Sequence, residues 1–183
     1  MITPSSKKIK ILIVDDHPAF REGLRRILED ENDIEVVATA KDGEEGVALT
    51  KELLPDVVTM DLVMPGINGI EATKQIKDVC PSVAVMVLTA YYYGEYLFAS
   101  LRAGAAGYFT KRVGVSELID AIRELSTGKV VFGQSASQAI LRHFEAGKEG
   151  EKQSVTKSNY TELEALIYAI AGYPRDKEHL SML

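Results

Sequence analysis

Cysteine is almost missing from this chain. Cys80 is the only one in 183 residues, which excludes an intrachain disulfide and a metal site made of cysteines alone. Such sparing use fits a reducing cytosol. No apolar run approaches the roughly 18 residues that a membrane span needs, and residues 1–8 lack the apolar core of a signal peptide. Positive charge is in short supply as well. With 21 Lys and Arg against 27 Asp and Glu, the net charge of −6 argues against a broad nucleic-acid-binding surface, though a local basic patch remains open. These deficits predict a soluble cytoplasmic protein. What is present is ordinary for a globular chain, 46% hydrophobic and 26% charged, with length for one domain and something smaller.

The apolar segments alternate in type. Short β-branched runs at residues 9–14, 34–40, 57–61, 83–88 and 105–110 read as strands. Between and after them lie stretches with helical spacing: Phe20, Leu24, Ile27 and Leu28; Val47, Leu49 and Leu53 or Leu54; Ile70, Thr73, Ile76 and Lys77; Leu97 and Leu101; Leu118, Ile119, Ile122 and Leu125. His17-Pro18, Asp42-Gly43 and Ser116 read as helix starts, and Gly104 and Gly128 as helix ends. Five β-α units in series predict an α/β domain, a five-stranded parallel sheet with helices on both faces, spanning residues 8–128. Residues 130–133 read as a short apolar tie and 137–144 as one further helix. Residues 146–158, rich in Gly, Lys, Glu and Ser, read as linker, so that 129–158 is a linker including a short helix. Helical spacing returns from Thr161, where Thr161 and Glu164 form a capping box, and the short all-α segment covers residues 159–183.

Four strands end in polar side chains: Asp15-Asp16, Asp61, Thr89 and Lys111. The carboxyl ends of parallel strands open onto one crevice, so these groups converge. A single acid there is most often a turn former, and a single lysine a solvated one; their joint occurrence is what points to chemistry. Crowded carboxylates repel one another, and oxygen-only ligands favour Mg²⁺ as the neutralising ion. Asp61 then reads as a nucleophile for phosphoryl transfer, with Lys111 a counter-charge and Thr89 a hydroxyl donor. His17 reads as an exposed helix-start histidine rather than a ligand. Tyr91-Tyr92-Tyr93 reads as surface, and Cys80 as inert.

Val14-Asp15-Asp16-His17, the segment from Met60 to Gly69 (MDLVMPGING), Leu88-Thr89-Ala90 and the segment from Gly104 to Lys111 (GAAGYFTK) resemble the receiver domain of bacterial two-component response regulators, closest to the LuxR-type (NarL/FixJ) subfamily. The resemblance implies a flavodoxin-like fold with strand order 2-1-3-4-5. It implies phosphorylation of Asp61 by a sensor histidine kinase, and Mg²⁺ held by Asp16, Asp61 and the backbone carbonyl of Val63, with Asp15 acting mainly through water. Thr89 would move toward the phosphoryl group, Tyr108 would turn inward, and Lys111 would pair with a phosphoryl oxygen. Phosphorylation would drive homodimerisation and transcriptional output, with residues 92–101, the fifth strand and residues 116–125 as candidate surfaces. Arg112 stands where many receivers carry proline after the lysine, which leaves the isomer of that peptide bond open.

The same resemblance makes residues 159–183 the start of a helix-turn-helix DNA-binding domain whose recognition helix is not in the chain. Lys157, Arg175 and Lys177 face Glu162, Glu164, Asp176 and Glu178 there, so specific DNA binding by these 183 residues is not expected. A second reading is a regulator working through protein contacts alone, as a phosphate sink or a mixed-dimer inhibitor. A turnover enzyme, the haloacid-dehalogenase type of phosphohydrolase, needs Asp-x-Asp on the nucleophile strand, whereas this chain has Asp61-Leu62-Val63.

Overall fold

A parallel pair of strands needs a long return connection, and here each return is a helix. The computed structural model describes residues 7–90 and 94–149. In chain order the elements are β1 (Ile9–Val14), α1 (Pro18–Glu29), β2 (Ile34–Ala40), α2 (Gly43–Leu53), β3 (Val57–Met60), α3 (Gly69–Val79), β4 (Ala84–Thr89), α4 (Gly94–Arg102), β5 (Gly107–Thr110), α5 (Val115–Ser126), β6 (Val131–Phe132) and α6 (Gln134–Glu149). The strands form one parallel sheet in the order β2-β1-β3-β4-β5-β6. The chain divides into two units at residue 139, with the whole sheet in the first. The Tyr91-Tyr92-Tyr93 run, residues 150–158 of the linker and the whole 159–183 segment lie outside the described residues.

Period-2 alternation assigns each strand residue to one of two cores. Ile11 and Ile13 of β1 join Leu24 and Leu28 of α1 and Leu118, Ile119, Ile122 and Leu125 of α5. Leu12 and Val14 point the other way, onto Val47 of α2 and Ala72 and Ile76 of α3. Because both faces of the central strands are covered, β1 from Ile11 to Val14 and β3 over its whole length are buried rather than alternating. Burying each large aliphatic side chain contributes about 1.5–3 kcal/mol before chain entropy is set against it.

Three local expectations need correction. The apolar tie at residues 130–133 contains a sixth strand: Val131 donates to the Ala106 carbonyl (2.9 Å) and Gly133 to that of Tyr108 (3.1 Å). A two-residue strand is too short to show a period. Helix α5 begins at Val115 with Gly114 as its cap, not at Ser116, because Leu118 N–H already closes the first turn on the Gly114 carbonyl (3.0 Å). Likewise α6 starts at Gln134, where Ser137 N–H reaches the Gly133 carbonyl (3.0 Å), and it continues to Glu149, past residue 144 and into the stretch expected to be linker. The Lys111–Arg112 bond is trans, since the described residues contain no cis peptide. Edge strand β2 carries a bulge: Ile11 pairs with Val36 and Leu12 with Ala38, leaving Val37 over.

One ion-pair cluster ties the α1–β2 turn to α5. Arg123 donates to both carboxylate oxygens of Asp33 (Nε 2.8 Å, Nη2 2.8 Å) and to Glu31 (2.7 Å). The hydrogen bonds from Arg123 hold the Asp33 carboxyl below its ordinary pKa. Arg123 and Asp33 are more than a third exposed, so solvent screens the pair. We expect Arg123→Ala to cost no more than about 1 kcal/mol at neutral pH. Asp33 has a folded-state pKa below its unfolded one, so its contribution is present above the unfolded value and lost as pH falls through the folded value. Urea melts across the acidic range should therefore show the wild-type and variant curves converging as pH drops.

Candidate functional site

The polar strand ends meet. Asp61 follows β3 directly, and its N–H continues the ladder to the Val14 carbonyl (2.9 Å). Asp15 N–H bonds Ala40 in the same way (3.1 Å), and Lys111 N–H bonds the Thr89 carbonyl (2.8 Å). The sheet's own hydrogen bonds thus set Asp15, Asp61, Thr89 and Lys111 side by side. Asp15, Asp61 and Thr89 are almost wholly buried, at 2%, 4% and 1% exposure.

Lys111 Nζ lies between two carboxylates, 2.5 Å from Asp15 Oδ2 and 2.7 Å from Asp61 Oδ2. It also sits 4.4 Å from the centroid of the Phe20 ring, a cation–π contact from α1. Burial alone would lower the lysine pKa, but the hydrogen bonds to Asp15 and Asp61 outweigh it and hold the ammonium above its ordinary value. Asp61 is pushed up by burial first; Lys111 opposes this, and the nearby charge of Asp15 adds to it. Its other oxygen, Oδ1, accepts from the N–H of Leu62 (2.7 Å) and more loosely from that of Val63 (3.4 Å). Asp61 is therefore oriented by its own loop but incompletely neutralised.

The loop beyond Asp61 is held close. Gly66 adopts φ +80°, a left-handed conformation suited to glycine, at the turn after Pro65. Glu44 Oε1 accepts from Ile67 N–H (3.1 Å), and the Asn68 side chain caps α3 through Glu71 N–H (2.9 Å). Gly69 packs so tightly that a Cβ there would lie 2.0 Å from the Asp61 carbonyl oxygen. Val63 is exposed at the pocket mouth (57%). Tyr108 is fully buried on β5, with its backbone register one strand over from Val87. The side chain already occupies an inward position.

The other acids complete the cluster. Ligand atoms of Asp15, Asp16, His17 and Asp61 all lie within 4.8 Å of one another. Asp15 Oδ1 accepts from His17 N–H (2.9 Å), and Arg21 donates to the Asp15 carbonyl. Asp16 Oδ1 is buried, with His17 Nδ1 2.8 Å away as its ion-pair partner. Three carboxylates facing one ammonium leave negative charge over. A small divalent cation bound by oxygens, with waters filling the remaining positions, fits this donor set. Phe20 and Arg21 were not legible as pocket residues. Phe20 follows the helical spacing of a core residue, and nothing in one sequence shows that α1 lays its first turn over the strand ends.

A doubly wound parallel sheet with an acidic pocket and a lysine at its carboxyl edge defines the class. The comparisons name the family: residues 11–123 match the response regulator receiver domain, and the chain belongs to it. It is 36% identical over 168 residues to the transcriptional regulatory protein YxjL of Bacillus subtilis, covering 89% of this chain and 77% of that one. It is 39% identical to LiaR of the same organism, covering 90% and 77%. Among solved structures it is similar to a LuxR-family response regulator from Aurantimonas (TM-score 0.71, 36% identity, 75% of this chain and 98% of that one). It is similar also to the isolated REC domain of RcsB from Salmonella enterica, solved with the phosphomimetic BeF3- (TM-score 0.66, 30% identity, 73% and 99%). The protein is a two-component response regulator with a receiver domain and LuxR-type relatives. Those relatives are response regulators rather than turnover enzymes.

Two outcomes follow from the geometry. Without divalent cations, Asp61→Asn should raise the melting temperature by a few degrees in thermal melts, because it removes a buried charge whose desolvation outweighs its pairing with Lys111. Lys111 keeps Asp15 as its partner. Gly69→Ala should cost about 1–3 kcal/mol in urea unfolding, the usual range for forcing a methyl into filled space.

Proposed function

We propose that Asp61 accepts a phosphoryl group from the phosphohistidine of a sensor histidine kinase. A carboxylate oxygen of Asp61 attacks phosphorus, the phosphorus–nitrogen bond breaks, and the imidazole leaves with the electron pair. The observation that carries this reading is the lysine bridge: Asp61 lies buried at a strand end, 2.7 Å from Lys111, whose charge opposes the upward push of burial on the carboxyl without cancelling it. Lys111 exchanges its bond to the Asp61 carboxylate for one to a phosphoryl oxygen. Asp15, Asp16, Asp61 and the Val63 carbonyl would hold Mg²⁺, Asp15 mainly through water. When bound, the cation screens the negative charge that gathers as two anions approach.

Thr89 then supplies the reporting step. Its hydroxyl stands at the end of β4 beside Lys111 and turns toward the phosphoryl oxygens, while Tyr108 keeps to the interior space behind it. Two positions of the Thr89 side chain thereby report one local charge change. Dimerisation through the α4–β5–α5 side and transcriptional output in the cytoplasm complete the reading, supported by the regulators this chain resembles. No helix among the described residues is long and apolar enough to cross a membrane.

A small phosphodonor, such as an acyl phosphate or phosphoramidate, should label the full chain with one hydroxylamine-labile phosphoryl group in the presence of Mg²⁺. Mass spectrometry should place it on Asp61, and Asp61→Asn should abolish it. Labelling that persists in the variant would sink the assignment. Lys111→Ala should leave the acceptor in place but slow labelling by at least roughly tenfold, as loss of a charge-stabilising group does.

A further inference from the structure

We propose that Lys77 is an acylation site, modified by acyl phosphates beside a cavity on the amino edge of the sheet, the edge opposite Asp61. The cavity, of about 380 Å³, is bounded by Pro55, Lys77, Pro81, Ala84, Ala106 and Leu125. Asp56 and Lys129 are the other charged groups that line it. Both are engaged elsewhere: Asp56 accepts the Lys10 N–H (2.8 Å) and faces Lys7 (3.5 Å), and Lys129 lies 3.9 Å from Glu124.

Geometry is the first argument. Lys77 Nζ donates to the carbonyls of Pro81 (2.5 Å) and Val83 (2.8 Å), and no carboxylate among the described residues pairs with it. An ammonium carries three N–H donors, whereas the neutral amine carries two and a lone pair. Two carbonyls therefore satisfy the neutral amine completely and leave its lone pair facing neither of them. The ammonium keeps a third proton with no acceptor among the described residues. Burial acts in the same direction and holds the amine below the ordinary lysine pKa. The stem of the side chain is fixed as well. Gly104, at φ +98°, packs against it so closely that a Cβ there would stand 2.9 Å from Lys77 Cγ.

The chemistry is the second argument. A desolvated lysine amine without a carboxylate partner is an activated nucleophile. The neutral nitrogen attacks the carbonyl carbon of the acyl phosphate, and the bond from that carbon to the bridging oxygen breaks. Inorganic phosphate leaves with the electron pair, and the nitrogen gives up its extra proton to water. The product amide keeps one N–H, so one of the Pro81 and Val83 carbonyls loses its donor, and a small acyl group has the adjoining cavity to occupy. An acyl phosphate offers two electrophiles, phosphorus to a carboxylate and carbon to an amine. The step at Lys77 is independent of any step at Asp61.

The test is acetyl phosphate added to the full chain without divalent cations, near neutral pH, where an ordinary lysine is almost wholly protonated. Hydroxylamine treatment afterwards clears any aspartyl phosphate and leaves lysine amides intact, and peptide mass spectrometry then follows acetylation site by site over time. Lys74, exposed one turn earlier on α3, is the internal standard. Lys77 should be acetylated at least roughly threefold faster than Lys74, as an amine activated by its surroundings is. The preference should vanish in denaturing urea, where both amines stand in water. A Lys77 rate no faster than that of Lys74 in the folded chain overturns the inference. So does a preference that survives unfolding, because it would then come from the local sequence and not from the carbonyl pair and the cavity. Neither result bears on the assignment of Asp61.

Discussion

The structure turns on one ammonium group shared by two buried carboxylates. Lys111 bridges Asp15 and Asp61, and so connects the ends of β1, β3 and β5 across the sheet. Buried ions are costly, and the attraction between them offsets this only where the geometry is good. Here the bridge is short on both sides and backed by an aromatic face, yet Asp61 still has a raised pKa. The domain holds Asp61 in a state that is tolerable rather than comfortable. Any change that supplies positive charge, or removes negative charge, relaxes it.

The remainder of the fold serves that tension by being stiff. Central strands apolar on both faces leave no room for the carboxyl edge to spread, and the ladder bonds of Asp15, Asp61 and Lys111 are part of the sheet itself. Beyond Asp61 the backbone is held by Gly69 at van der Waals limits, by the Asn68 cap and by Glu44. A pocket built this way responds to charge by rearranging side chains, because its backbone has nowhere to go.

Legibility in the sequence followed the length of the signal. Runs of four to seven apolar residues at β1 to β5, and helical stripes such as Leu24 and Leu28 or Leu118 and Ile122, carry enough positions to be read locally. Asp15, Asp16, Asp61, Thr89 and Lys111 were legible because each closes such a run. What escaped was set by few residues or by distance. β6 is two residues long and owes its existence to a free edge on β5. The start of α5 was misplaced because Ser116 is a better cap by type than Gly114, whereas the turn bond to Gly114 decides the boundary. Phe20 against Lys111 and Arg21 against Asp15 depend on where α1 comes to rest. His17 was read rightly as an exposed residue at a helix start, and that reading hid its approach to Asp16.

The extra residue at Val37 matters beyond the β1–β2 pairing where it occurs. An outer strand with regular spacing is a template on which another chain can continue the hydrogen-bonded ladder. Val37 puts β2 out of step with any straight partner, and on the far side the sheet ends in a two-residue strand with little ladder to offer. Any contact between copies would then have to use helices and side chains rather than a continued ladder. Fibre-like growth of the sheet is discouraged by a single unpaired valine.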